Sequence, residues 1–188
     1  MVAAYTSADG SSQQETVTVN TGESEAKGID LEATWVPTEN LRINAAVNWL
    51  DHSYKNGILP DLRGGSDPID LRQFDVPFSP ETKLLLGVAY DQGLTNGQRV
   101  TWNASVNYQS EAETDVFNGL NTQMEERTLV DLSATLHDRE DRWSITAYAS
   151  NLTDETYRVA ALPVAGLWNF TNYGAPRSYG LTLSMKFD

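Results

Sequence analysis

Cysteine is absent from this 188-residue sequence, which excludes disulfide frameworks, thiolate zinc sites and thiol nucleophiles. Basic side chains are scarce. Thirteen Lys and Arg stand against 26 Asp and Glu, a formal charge of −13. That balance argues against nucleic acid as a partner, because such binding needs a basic face. No run of 18 or more apolar residues occurs, so no transmembrane helix is encoded. Residues 1–6 carry neither the charged start nor the apolar core of a secretory signal, so an export signal, if there is one, is expected upstream. Helical periodicity is also nearly missing, and a different repeat takes its place.

That repeat has period 2, the signature of strands with one apolar face. Residues 29–36 put Ile29, Leu31, Ala33 and Trp35 on one side and Asp30, Glu32 and Thr34 on the other. In residues 41–50, Leu41, Ile43, Ala45, Val47 and Trp49 alternate with Arg42, Asn44, Ala46 and Asn48. Residues 100–108 set Val100, Trp102, Ala104, Val106 and Tyr108 against Thr101, Asn103, Ser105 and Asn107. At the end of the chain Tyr179, Leu181, Leu183, Met185 and Phe187 alternate with Gly180, Thr182, Ser184 and Lys186. Weaker versions run through 84–90, 130–136 and 143–149, and a first strand is expected within 15–20. The total is about eight strands, most near the length that crosses a bilayer when tilted.

Short connections at 37–40, 93–97 and 138–141 alternate with long ones at 51–80, 111–126 and 154–176; a short connector at 21–27 lies on the long-loop side. Strict alternation is expected of a barrel with tight periplasmic turns and extended extracellular loops. Aromatic residues gather at the strand ends of the apolar face. Trp35, Tyr90, Trp102, Trp143 and Phe187 fall toward the short-turn rim, and Trp49, Tyr108 and Tyr179 toward the long-loop rim. Amphipathic rings favour the headgroup level, so these eight are expected to form two girdles around a lipid-facing aliphatic band. The fold class expected is all-β, an antiparallel up-and-down transmembrane β-barrel. A soluble sandwich is the competing architecture, but its core would place the aromatics mid-strand.

Four stretches carry a resemblance. NTGESEAKGIDLEATW (20–35), FSPETKLLLGVA (78–89), ASNLTDETY (149–157) and YGAPRSYGLTLSMKF (173–187) occur in that order. Together they resemble the C-terminal part of the barrel of TonB-dependent outer-membrane receptors. The resemblance implies active uptake of a scarce substrate, such as an iron–siderophore complex, across the outer membrane of a Gram-negative bacterium. It implies as partners the outer-membrane lipid, the rest of the barrel, a plug domain, TonB through an N-terminal part, and the barrel assembly machinery through the last strand. It implies neither a cofactor nor catalysis. The family's terminal aromatic is present as Phe187, but Asp188 follows it.

Nothing in residues 1–188 resembles the plug, and the family barrel has about 22 strands. The chain is therefore expected to be the C-terminal portion of a larger barrel. The alternative is a self-contained eight-stranded barrel acting as a structural protein, adhesin or narrow pore. Its narrow lumen would have to be filled by its own side chains. The inward positions are mostly small, Asn44, Ala46, Ser105, Ser133, Thr146, Gly180 and Ser184 among them, which suits a wide wall better.

The ligand-binding expectation rests on loop aromatics able to stack on a chelate or sugar: Phe74, Phe78, Phe117, Trp168, Phe170 and Tyr173. The competing reading is that these rings pack the loops against one another. Asp61, Asp67, Asp70 and Asp75 in the longest loop are the oxygen-ligand candidates for a cation, set against a solvated acidic face. His52 and His137 show no sequence relation to a serine triad and are read as solvated rim residues.

Overall fold

The computed structural model describes residues 2–6, 12–16, 20, 22–59, 67–119, 121–164 and 168–187. Along the chain the strands are β1 (Val2–Thr6), β2 (Ser12–Thr16), β3 (Glu23–Thr38), β4 (Leu41–Asn56), β5 (Ile58–Leu59), β6 (Ile69–Asp70), β7 (Thr82–Gly93) and β8 (Arg99–Gln109). They continue as β9 (Ala112–Glu113), β10 (Gln123–Met124), β11 (Arg127–His137), β12 (Trp143–Ser150), β13 (Arg158–Val164), β14 (Trp168–Tyr173) and β15 (Ser178–Met185). Seven of them form one sheet in the order β15-β12-β11-β8-β7-β4-β3, and every pairing in it is antiparallel. Each wall strand neighbours the next one in the chain, so the wall is an up-and-down meander. It is not closed: β3 and β15 are its two edges.

Three details differ from expectation. Among the described residues the wall holds seven strands, one fewer than the approximate count of eight. The segment expected within 15–20 begins earlier, as β2, and pairs with β1 in a separate hairpin; residues 17–19 lie outside the described residues. The supposed connector at 21–27 is strand from Glu23 onward, because β3 pairs with β4 up to Asn56. Both strands have 16 residues, about 53 Å of extended chain against an apolar band of about 25 Å. Their upper ends therefore project past the band, which is where Lys27 and Lys55 both pair with Glu25. At Gly28 the two strands approach so closely that a Cβ would sit 2.5 Å from the carbonyl oxygen of Trp49.

The register places the alternation on two faces. Across the outer face one row of partners runs Trp35, Ile43, Val88, Ala104, Leu132, Ala149, Tyr179. The row joins an aromatic near the short-turn end of β3 to one near the long-loop end of β15. Such an offset is what tilted, sheared strands require in a barrel wall. Outer side chains are open: Leu31 is 62% exposed, Trp102 49% and Leu181 77%. The inner face carries Asp30, Asn48, Asn103, Ser133 and Thr146, linked in part by hydrogen bonds such as Asn48 to Asp30 (2.5 Å) and Thr135 with Thr146 (2.9 Å).

Burial is concentrated elsewhere. Among the described residues the buried apolar side chains are Leu59, Leu71, Ala112, Met124 and Ala161, and all five lie in connections outside the wall. A one-layer wall meeting lipid on one face and a lumen on the other has no interior of its own. The packed core belongs to the loops.

Candidate functional site

Three connections gather at one end of the wall: a first loop (57–81), a second (110–126) and a third (151–177), with turns of only a few residues at the opposite end. In the first loop, β5 pairs with β6, and Asp70 caps a 3₁₀ turn at Leu71–Gln73 by accepting from the Arg72 amide. Leu71 is thereby driven into the loop core, fully buried beside the equally buried Leu59. The second loop returns on itself through β9 and β10, with the Thr114 amide donating to Thr122 O (3.1 Å). The third rises as the β13–β14 hairpin.

β7 stops short. It begins at Thr82, opposite Trp49 of β4, and the Ser110 amide bonds Thr82 O (2.9 Å). The upper part of β4 and the start of the second loop thus have no strand between them, and a cavity of about 670 Å³ occupies the notch. Its lining includes Trp49, His52, Val76, Ser79, Ala112 and Gln123. Six carboxylates also line it (Asp51, Asp75, Glu81, Glu111, Glu113 and Glu126) with no Lys or Arg among the lining residues.

The electrostatic result is concentrated on Glu113. Burial raises its pKa, and the charges of Asp75, Glu111 and Asp115 push it further in the same direction against a hydrogen bond from Thr122. An acid whose folded pKa lies above its unfolded value costs the folded state nothing at low pH. It destabilises that state as pH rises past the unfolded value. Glu113→Gln is therefore expected to tighten the second loop at neutral pH and to leave it unchanged near pH 4. Amide exchange of residues 112–124 at the two pH values checks this; equal protection of both proteins at neutral pH would refute it.

The candidate residues part company here. Phe74 and Phe117 meet edge to face with centroids 6.5 Å apart, joining the first loop to the second, and the Phe78 amide donates to Glu113 O (2.7 Å). Trp168, Phe170 and Tyr173 lie on β14, 57%, 50% and 58% exposed, and Phe78 is 58% exposed. The six aromatics are thus a packing pair and four open rings. Of the proposed cation ligands, Asp61 lies outside the described residues. Asp70 is held by Arg72 (2.5 Å), which lowers its pKa; the backbone of Asp75 forms an isolated bridge with Ser53, and Asp75 lines the notch. Asp67 is exposed, and no group of three or more His, Asp or Glu able to hold a metal ion forms among the described residues.

His52 has a serine on each ring nitrogen, Ser79 Oγ at 2.8 Å from Nδ1 and Ser24 Oγ at 3.2 Å from Nε2, so no carboxylate orients it as a triad would require. His137 belongs to the short-turn end, where Nε2 faces Thr101 Oγ1 (3.2 Å) and Nδ1 faces Asp141 (3.6 Å). The Thr101 hydroxyl already donates to Asp91 (2.5 Å).

The girdle candidates occupy outer-face positions near the strand ends. Tyr90 stands directly opposite Trp102, and Trp143 opposite Met185. Three polar tips find rim partners: Trp49 donates to Glu81 (3.0 Å), Trp102 to Gln92 (3.1 Å) and Tyr108 to Glu126 (3.2 Å). Trp35, Tyr179 and Phe187 are exposed at 63%, 78% and 87%.

What sequence reasoning missed is the tie between the loops. Arg127, Asn151 and Arg158 drew no notice as single residues, although Asn151 opens the NLTDETY stretch.

A family model described as "TonB dependent receptor-like, beta-barrel" matches residues 2–152. The ferric yersiniabactin uptake receptor FyuA from Yersinia pestis superposes with a TM-score of 0.75 at 21% identity, over 90% of this chain and 24% of that one. The siderophore receptor PiuA from Acinetobacter baumannii gives 0.66 at 20% identity, covering 86% and 22%. BauA, the ferric preacinetobactin receptor from the same organism, gives 0.64 at 24% identity, covering 99% and 26%. The chain spans about a quarter of the length of these structures. Among curated proteins none matches.

Proposed function

We infer a transport role from one premise: this chain belongs to the TonB-dependent receptor-like β-barrel family. The family is one of transport receptors, and the chain contributes a barrel wall with its extracellular loops. The function proposed is capture of a scarce substrate, such as an iron–siderophore complex, and its TonB-dependent uptake across the outer membrane of a Gram-negative bacterium.

The observation that carries this reading is the notch above β7, a 670 Å³ cavity formed where loops pack over the end of a wall that is apolar outside and polar inside. A cleft of that size suits a small molecule rather than an ion. The open rings of Phe78, Trp168, Phe170 and Tyr173 offer faces on which a planar chelate can stack. The eight girdle aromatics would hold the wall at the two headgroup levels.

The open edges of β3 and β15 support a chain that is the C-terminal portion of a larger barrel. An unpaired backbone group in hydrocarbon costs several kcal/mol, so the remaining strands are proposed to close the sheet around a plug. In this reading TonB engages an N-terminal part, and the barrel assembly machinery reads the β15 end at Phe187.

Cells expressing the full-length protein under iron limitation test the proposal. Accumulation of a labelled ferric chelate is expected to depend on the protein and to stop when a protonophore collapses the inner-membrane gradient. Accumulation that survives the protonophore would identify a passive pore instead.

A further inference from the structure

The β13–β14 hairpin stands on a closed base. Asn151, 5% exposed, donates from Nδ2 to Glu155 O (2.8 Å) and Ala175 O (3.1 Å) and accepts from the Glu155 amide (2.9 Å). Its own amide donates to Asp131 of β11 (2.9 Å), and Asp154 accepts from the Arg177 amide (3.1 Å). The Gly174 amide closes the ring onto Tyr157 O (2.9 Å). The Tyr157 ring occupies the space beside this glycine: a Cβ would lie 2.0 Å from it, so any other residue would displace the ring. The loop's two ends are thus fixed to each other and to the wall, and β13 and β14 stand above them.

Two arginines join that hairpin to what surrounds it. Arg127, the first residue of β11, lies 4.8 Å from the centroid of the Tyr157 ring and donates to Arg158 O (3.2 Å) and Gln109 Oε1 (3.0 Å). Arg158, at the foot of β13, reaches the other way. It donates to Gln123 O (2.9 Å) and pairs with Glu125 (3.2 Å). A third link is the buried Thr114 hydroxyl, which reaches both Thr122 O (2.6 Å) and Ala161 O (3.1 Å). Gln123 is itself part of the cavity lining.

We propose that Arg158 is a positioning residue coupling the third loop to the second, so that the exposed aromatic hairpin and the cavity wall at Gln123 open and close as one unit. Long surface connections ordinarily open independently, each with its own small free energy. Here one charged guanidinium nitrogen, Arg158 Nη1, bridges two of them, and displacing the hairpin strips Gln123 O and Glu125 of their partner. Such a bridge acts in both directions: contact at Trp168 or Phe170 biases the cavity, and occupation of the cavity biases the hairpin. The proposal concerns loop mechanics and stands apart from whichever substrate is carried.

Amide hydrogen exchange of the full-length protein in detergent micelles is the test, and it needs no transport. In the wild type, residues 121–126 and 158–164 are expected to exchange through one opening with a shared rate. Arg158→Ala should accelerate both segments about tenfold while β8 and β11 stay protected. Acceleration of residues 158–164 alone, or separate wild-type rates, would overturn the coupling. Should Arg158→Ala fail to assemble, Arg158→Lys gives the same reading. Its shorter, freely rotating ammonium lacks the planar geometry that aims Nη1 at both partners, so a shared acceleration of about threefold is expected, and no change in either segment would sink the idea.

Discussion

Leu132→Arg is expected to cost about 2–4 kcal/mol of stability in a bilayer, far more than the same change at the adjacent Ser133. Leu132 sits mid-strand on the outer face of β11, opposite Ala104 and Ala149, and is 41% exposed in the isolated chain. If lipid covers that face, the guanidinium there must either snorkel or thin the membrane locally. Ser133 points to the other side, near Asn103 (3.4 Å), where water and polar neighbours can receive a charge. Urea titration of the full-length protein in phospholipid vesicles compares the two variants directly. Equal losses at both positions would mean that the outer face does not meet lipid, and the barrel reading of the wall would go with it.

Asn151→Ala is expected to weaken the base of the third loop by about 2–4 kcal/mol. Two contributions add. The substitution removes the side chain that satisfies the Glu155 amide and carbonyl and the Ala175 carbonyl. It also places alanine at φ +49, a left-handed conformation that asparagine tolerates and alanine resists. Asn151→Asp keeps the acceptor and much of the backbone tolerance, so it should lose only part of this. Amide exchange over residues 151–157 and 172–177 reads the effect. Protection unchanged in Asn151→Ala would show that the base is held by the Gly174–Tyr157 and Arg177–Asp154 contacts without the Asn151 side chain.

The NLTDETY stretch shows how far a motif can be read from its letters. As a run of residues it offered only a likeness to a family. In three dimensions its asparagine, aspartate and tyrosine have separate tasks. Asn151 ties the ends of the loop together, Asp154 receives the returning chain at Arg177, and Tyr157 fills the space that Gly174 leaves open. Glycine seventeen positions after tyrosine carries no local signal. The pairing exists only because the hairpin brings the two positions together.

The loop aromatics teach the same lesson. Phe74 and Trp168 are both loop aromatics outside the periodic strands of the sequence, so the sequence offers no ground for separating them. The fold separates them by giving Phe74 a ring partner, Phe117, and leaving Trp168 on an open face.

By itself the sequence determined the all-β class, the apolar and polar faces of the wall strands, and the alternation of short turns with long connections. Those properties are local: side chains alternate every two residues whatever a strand pairs with. Only the tertiary structure decided the count of wall strands, the extension of β3 and β4 beyond the band, and the register carrying Trp35 to Tyr179. It alone also decided the notch above β7 and the arginine links between loops. Register and loop packing depend on residues far apart in the chain, and a slip of two positions keeps every side chain on its own face. Alternation cannot distinguish such slips; hydrogen bonding between neighbouring strands and the packing of the loops can.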